Sequence, residues 1–506
     1  MNLDWTFQIH TLYKGNCHLY NILSTMKFYL AYVVIFYSVF QGNHGLFGNT
    51  FTKFRELVEK HRKLTYLKHA GINALDEVEG YAFDQRLDHF EVRPNPRLFR
   101  QRYWRNKAYW KEPNGPVFLY VGGEGALSGV EIYGGNIVEM AKQYGALLFS
   151  FEHRFYGRSV LSLDDENMPL LSSEQALADL AVFVEYAKIK FGLTNKNKWI
   201  TYGGSYPGSL AAWFRIKYPH LVIGAVASSA PVKAQVNFED YNNVVEASLS
   251  SQLVGGSEQC ATNIKTAFYM MESSVADKSF AKLKTDFLSC NDISKANDTW
   301  NFFLNIGSFI MSIVQYNGQM PGLEISTLCK YMTNSSRSPY DSLAILYRDY
   351  IHRLQISCFD NRYTDFINEL KNTDIDPFGQ KNIRQWFYQT CTQFGYFQTC
   401  DTNTKCLFTK RLALVADLLI CQDVFHINRK SVQERVNFTN EYYGGDKPRG
   451  SKIIFVNGAI DPWHALSVLK NVTSSQIAIF IPGASHCQNM GNSEGGDSPE
   501  LKEARQ

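Results

Sequence analysis

Charge of either sign is nearly absent in excess: 51 Lys and Arg face 48 Asp and Glu over 506 residues, a formal net of +3. No Lys/Arg run stands out, so the footprint of a nucleic-acid binder is missing. Long hydrophobic runs are scarce too. Residues 28–40, after Met26-Lys27, form an apolar run of 13 residues, short for a bilayer span but right for a signal-peptide core. Nothing later resembles a transmembrane helix, so no stable membrane insertion is expected. Residues 1–45 read as an N-terminal extension and signal peptide, with cleavage near residues 40–45. There is no internal repeat and no low-complexity linker. One glycine-rich loop follows a strand-like run, Gly122-Gly123-Glu124-Gly125, but it lacks both GxGxxG spacing and a Walker lysine. No metal and no cofactor is implied.

What is present is a large core and an oxidising-compartment pattern. With 45% hydrophobic and 14% aromatic residues, the chain can bury two or three domains. Of ten cysteines, Cys260, Cys290, Cys329, Cys358, Cys391, Cys400, Cys406 and Cys421 crowd one region, an even set that reads as a disulfide-stapled unit. Sequons at Asn297, Asn334, Asn437 and Asn471 agree with a secretory route, lysosomal, endosomal or extracellular.

The most telling segment is Gly203-Gly204-Ser205-Tyr206-Pro207-Gly208. Before it, residues 197–202 (NKWITY) are strand-like; after it, residues 210–221 read as a helix closed by Pro219. A serine at a small-residue corner between strand and helix is the geometry of a nucleophile elbow, although Pro207 stands where the usual pattern has glycine. Downstream, residues 452–456 (KIIFV) form a strand followed by Asp461, and residues 476–481 (QIAIFI) a strand followed by His486. Ser, Asp and His in that order, each just past a strand, suit an α/β-hydrolase triad. The types fit the chemistry. A neutral serine needs a base, an imidazole titrates near neutrality, and a buried carboxylate holds its tautomer. The N–H groups of Tyr206 and of the Gly123 to Glu124 loop are candidates for an oxyanion hole.

Strand and helix alternate over residues 75–234, as in a mostly parallel sheet covered on both faces. Residues 235–440 change to long amphipathic helical runs that carry the cysteines, and the β/α pattern returns over residues 441–492. The expected fold is therefore an α/β-hydrolase with a large helical, disulfide-rich cap inserted between nucleophile and acid. Residues 493–506 form a polar tail, and the segment from Gly491 onward is expected to be disordered.

Seven ordered motifs resemble the S28 family of serine peptidases: residues 83–90 (FDQRLDHF), 122–125 (GGEG), 152–157 (EHRFYG), 203–206 (GGSY), 386–392 (WFYQTCT), 457–463 (NGAIDPW) and 483–486 (GASH). The resemblance implies a serine exopeptidase, a carboxypeptidase or dipeptidyl peptidase, cleaving peptides next to proline through an acyl-enzyme. It also implies a substrate pocket near Trp386 and Tyr388. Where the family pattern leads one to expect Glu, this chain has Gln393. An esterase or lipase, and a non-catalytic hydrolase-fold binding protein, are the other readings; turnover of a prolyl amide against a short-chain ester separates the first two, and a lost triad member would mark the third. A homodimer is left open.

Overall fold

The computed structural model describes residues 50–70, 78–376, 381–401 and 404–506. The signal-like run and the extension before it lie outside the described residues.

Eight strands form the central sheet: β1 (Val78–Arg86), β2 (Leu98–Asn106), β3 (Val117–Val121), β4 (Leu147–Phe151), β5 (Trp199–Gly204), β6 (Gly224–Ser228), β9 (Ile453–Gly458) and β10 (Gln476–Ile481). Their spatial order is β1-β2-β4-β3-β5-β6-β9-β10. From β4 to β10 every neighbour is parallel, whereas β2 runs antiparallel to both β1 and β4. This order, with one reversed strand near an edge, is that of an α/β-hydrolase. Helices α2 (Asn136–Tyr144), α3 (Ser173–Lys190) and α4 (Tyr206–Lys217) make the parallel crossovers. Sequence explains their placement. In α3, Ser172 caps the start by accepting from Gln175 N, and Lys188 and Lys190 meet the negative end of the helix. Buried on both faces, β3 and β4 read as apolar runs, broken only by the buried Ser150 of β4.

The sequence pattern passed over β1, β2 and the helix α1 (Thr50–His69). In β2 the inward row is Phe99, Gln101, Tyr103, and the buried Gln101 breaks the apolar alternation. Its amide donates to Glu152 O at 2.9 Å and to Asp179 Oδ2 at 3.3 Å.

Between β6 and β9 come the short parallel pair β7 (Gln235–Asn237) and β8 (Gly395–Phe397) and the helices α5 (Asp240–Ser250), α6 (Glu258–Ala276), α7 (Phe280–Asp286), α8 (Ala296–Gln315), α9 (Ile325–Met332), α10 (Pro339–Arg353), α11 (Tyr363–Lys371), α12 (Ile383–Gln389), α13 (Leu414–Phe425) and α14 (Arg429–Tyr443). The sequence boundary at residue 440 thus falls inside α14, and the sheet resumes only at Ile453. All eight cysteines of this insertion are paired: Cys260–Cys329, Cys290–Cys358, Cys391–Cys421 and Cys400–Cys406. The four sequon asparagines, Asn297, Asn334, Asn437 and Asn471, are exposed.

The tail corrects the expectation of disorder. Pro499–Ala504 is a helix, α15, whose Leu501 packs with Val456, Ile481 and Ala484. Arg505 reaches Gln488 O at 2.8 Å and Asn489 O at 3.2 Å and pairs with Asp497. Asn492 accepts from Gly135 N, Ser493 donates to Glu139 and Asn136 donates to Arg505 O, so one buried leucine and a set of polar contacts to the start of α2 order a segment of polar composition.

Two of the sequence motifs meet at a buried ion pair. Arg154, after β4, and Asp179, in α3, are both essentially inaccessible to water. Arg154 donates from Nε and Nη2 to the two Asp179 oxygens, each at 2.7 Å, and to the carbonyls of Arg86, Leu87 and Leu170. All five guanidinium hydrogens are thereby used. His89 Nε2 lies 2.7 Å from Asp179 Oδ1. Burial works against the Asp179 carboxylate, but the Arg154 charge prevails and holds its pKa below the usual range. A depressed carboxylate stabilises the fold above its unfolded pKa of about 3.9, and that contribution is lost only as pH falls through the lower folded value.

Asp179→Ala is expected to destabilise the protein by about 3–5 kcal/mol, because it strands a buried guanidinium. Urea denaturation at neutral pH measures it, and a loss near zero would contradict the pair's role. Non-reducing peptide mapping of secreted protein should recover the four pairings above with Cys487 free. The two bridges closing loops of 69 and 68 residues should each contribute about 4 kcal/mol by the loop-entropy estimate.

Candidate active site

Ser205 sits between the last residue of β5 and the first turn of α4. Its backbone is forced: φ is 65° and ψ −136°, a region non-glycine residues rarely occupy. The turn can close because Gly203 has no side chain, since a Cβ there would lie 2.1 Å from Pro207 O. Pro207 is accommodated in the first turn of α4, where a missing N–H costs nothing, and its ring lies against Gly123, whose Cβ would fall 2.2 Å from Pro207 Cγ. The β5 elbow and the β3 glycine loop are thus in direct contact. Ser205 N donates to Ser228 O at 2.9 Å, and its side chain makes no cap to the helix it precedes.

Asp461 follows β9 and is wholly buried. Its Oδ1 accepts from Trp463 N at 3.0 Å and lies 2.9 Å from His486 Nδ1. A carboxylate oxygen accepts, so Nδ1 carries the hydrogen and, when the ring is neutral, Nε2 is the nitrogen with the lone pair. His486, on the loop after β10, donates its backbone N–H to Gln315 O at 2.9 Å, and its carbonyl accepts from Gln319 Nε2 at 2.7 Å. The Gln315 side chain is gripped by Trp463 Nε1 and Tyr241 O–H, each at 2.8 Å. The end of α8 therefore fixes both the acid loop and the histidine loop. No sequence signal marked Gln315, because its partners lie more than seventy residues away.

The histidine loop also touches the elbow. A Cβ on Gly204 would meet Cys487 Sγ at 2.8 Å and Met490 Sδ at 2.3 Å. Cys487 N donates to Ser229 Oγ, and Asn489 Nδ2 to Ser228 Oγ, both at 2.8 Å, lashing this loop to the end of β6. Ser205, Asp461, His486 and the Gly123 loop are in this way gathered at the carboxyl ends of the parallel strands, where sheets of this kind hold their sites. Burial disfavours the imidazolium of His486. The Asp461 carboxylate, the neighbouring Cys487 and their hydrogen bonds outweigh it, and the pKa is raised above the ordinary value.

Around this core lies an aromatic wall. Trp386, half-buried, has ring contacts with Tyr206 at 5.9 Å, Phe394 at 6.3 Å and Tyr396 at 6.5 Å, and Tyr396 meets Trp463 at 5.3 Å. Tyr388 is not part of it; its ring packs edge-on against Phe425 at 5.4 Å and lies between the insertion's core and the apolar cluster of Phe155, Tyr156 and Leu163 after β4, because helical positions two apart face different ways. Gln393 is also turned elsewhere. It accepts from Ser173 N at 2.8 Å and donates to Glu174 Oε2 at 2.8 Å, so a glutamate in its place would face a second carboxylate. From the other side, Arg55 of α1 donates to Glu124 O at 2.9 Å, and Phe54 stacks on Tyr316 at 6.1 Å, whose ring lies edge-on to His486 at 5.9 Å. A cavity of about 650 Å³ between α11 and α13 is lined by residues from Tyr363 to His426 and none of the site residues.

The sheet order defines the class: an α/β-hydrolase, with Ser205 at the strand-to-helix corner after β5. Residues 85–506 match the family model for serine carboxypeptidase S28, and the chain belongs to that family of serine peptidases. It is 38% identical over 433 residues to the thymus-specific serine protease of Homo sapiens, covering 84% of both chains. The corresponding mouse protein is 37% identical over the same coverage. The lysosomal Pro-X carboxypeptidase of Homo sapiens is 28% identical over 425 residues, 80% of this chain and 81% of that one.

NMR titration of the His486 ring should give a midpoint above about 6.5, and Asp461→Asn should lower it. Equal midpoints in the two proteins would show that Asp461 does not act on the ring.

Proposed function

We propose that this protein is a serine exopeptidase that cleaves peptides next to proline through an acyl-enzyme. Ser205 Oγ attacks the scissile carbonyl, His486 Nε2 takes its proton and returns it to the leaving amine, and Asp461 holds the ring. N–H groups of Tyr206 and of the Gly123 to Glu124 loop stabilise the oxyanion. The carrying observation is the Asp461 to His486 Nδ1 contact of 2.9 Å, which leaves Nε2 as acceptor on a loop packed against the Ser205 elbow.

Substrate preference follows from the surroundings. The aromatic wall of Trp386, Tyr206 and Phe394 suits a pyrrolidine ring, apolar and rigid. The insertion contributes Gln315, Tyr316 and Trp386 to the rim, which favours short or extended peptides over folded chains. Among the described residues no helix is long and apolar enough to cross a membrane. Four disulfides and four exposed sequons suit an oxidising compartment of the secretory route.

Ser205→Ala should lower kcat by roughly 10⁶-fold with the fold retained, and a fluorophosphonate should label wild-type Ser205 alone. Profiling with a proline-rich peptide library should show trimming at one terminus, and a compact folded protein should resist. Activity should rise with pH through the His486 midpoint, since the base must be neutral. Substantial turnover by the alanine variant would refute the nucleophile. Preferred hydrolysis of a short-chain ester over a prolyl amide would refute the peptidase preference, and efficient internal cleavage would refute the exopeptidase mode.

A further inference from the structure

Tyr206, the residue after the nucleophile, is buried to its hydroxyl, and that hydroxyl takes part in two hydrogen bonds where one would satisfy it. Their direction can be worked out from one end. His153 Nδ1 lies 2.6 Å from Arg154 O, and a carbonyl only accepts, so Nδ1 carries the hydrogen. Burial holds the His153 pKa down, to about 4, so the ring is neutral and Nε2 is bare. Tyr206 O–H, 2.9 Å away, must donate to that Nε2. It then accepts from Gln389 Nε2 at 3.0 Å, which turns the Gln389 carbonyl oxygen toward Tyr156, whose O–H donates to it at 2.5 Å. Four hydrogen bonds run one way, from Tyr156 through Gln389, Tyr206 and His153 to the Arg154 carbonyl.

The three partners come from two separate places. His153 and Tyr156 stand on the loop after β4, beside the Arg154 and Asp179 pair, while Gln389 is the last residue of α12 in the insertion. Phe394 and Trp386, also from the insertion, press on the Tyr206 ring at 5.2 and 5.9 Å. The backbone between Ser205 and Tyr206 is strained, so the direction of Tyr206 N–H depends on where the Tyr206 side chain is held.

We propose that Gln389 and His153 are positioning residues for the oxyanion hole: by clamping the Tyr206 hydroxyl from the insertion and from the β4 loop, they set the aim of Tyr206 N–H. The proposal rests on the reading of that N–H as an oxyanion donor. It makes the insertion a working part of the catalytic apparatus as well as a rim. An oxyanion donor acts on charge that develops in the transition state and hardly at all on the bound substrate. A misdirected one therefore lowers kcat and leaves KM alone.

The test uses the full-length secreted protein with Gln389→Leu, His153→Ala, Tyr206→Phe and the double variant of Tyr206→Phe with Gln389→Leu. The probes are fluorophosphonate inactivation, whose phosphoryl oxygen occupies the oxyanion site, and hydrolysis of the best peptide from library profiling. Gln389→Leu and Tyr206→Phe should each slow inactivation and lower kcat by roughly 10- to 100-fold with KM within about threefold, as expected for a displaced donor. The double variant should be little worse than either single one, because both break the same bond. Tyr206→Phe removes one oxygen and keeps the ring, so it remains informative if Gln389→Leu or His153→Ala fails to fold. Wild-type inactivation rates in folded Gln389→Leu and Tyr206→Phe, a loss confined to KM, or additive losses in the double variant would overturn the proposal. Failure of the probe to label wild-type Ser205 would instead strike at the triad.

Discussion

The buried pair of Arg154 and Asp179 is the constraint on which the rest of the site depends. Removing two charges from water is unfavourable unless every hydrogen bond is replaced, and here the guanidinium has all five, two from the carboxylate and three from chain carbonyls. Those carbonyls belong to the end of β1 and to the turn before α3, so one side chain ties an edge strand, a helix and the loop after β4 into a fixed unit. The same loop carries Glu152, whose carboxylate receives Arg102, Ser159 Oγ and Leu127 N. Leu127 follows the β3 glycine loop. Arg154, Asp179 and Glu152 therefore brace the loops after β3 and β4 together.

Above it, backbone contact takes over from side-chain pairing. Gly203, Gly204 and Gly123 are small because Pro207, the Cys487 loop and the elbow meet there with no room for a Cβ. Those contacts fix the relative height of serine and histidine loops. The insertion completes the frame through single glutamines with multiple partners: Gln315, whose side chain holds Trp463 of the acid loop and Tyr241 and whose backbone carbonyl holds the histidine loop, and Gln389 for the tyrosine that follows the serine. A glutamine serves this purpose well, since it carries donor and acceptor on one rigid amide and adds no charge to a dry site.

Legibility in the sequence varied with the range of the interactions. The strands bearing Ser205, Asp461 and His486 were visible because a buried parallel strand is a short apolar run closed by a turn, a purely local signal. Strand β2 was not, since its inward Gln101 answers to Glu152 and Asp179, which are distant in the chain. The polar tail looked unable to order itself, yet a docking site for Leu501 between β9 and β10 already existed. Trp386 and Tyr388 looked equivalent in the sequence; two positions of rotation along α12 put one beside Tyr206 and the other between Phe425 and the apolar cluster after β4. Gln393 read as a departure from a substrate-binding pattern, whereas its amide is occupied by the start of α3.

By itself the sequence determined the class of fold, the serine corner, the order of acid and histidine, and a cysteine-rich insertion, because each is written in neighbouring residues whose backbone conformation and burial are local matters. Only the tertiary structure decided which cysteines pair, which nitrogen of His486 faces the carboxylate, and which residues of the insertion reach the elbow. Those outcomes depend on distances between segments that are separated in the chain, by up to 69 residues for the disulfides, 25 for the acid and histidine and 183 for Gln389 and Tyr206, and such distances exist only once the sheet has closed its order and the helices have packed upon its carboxyl end.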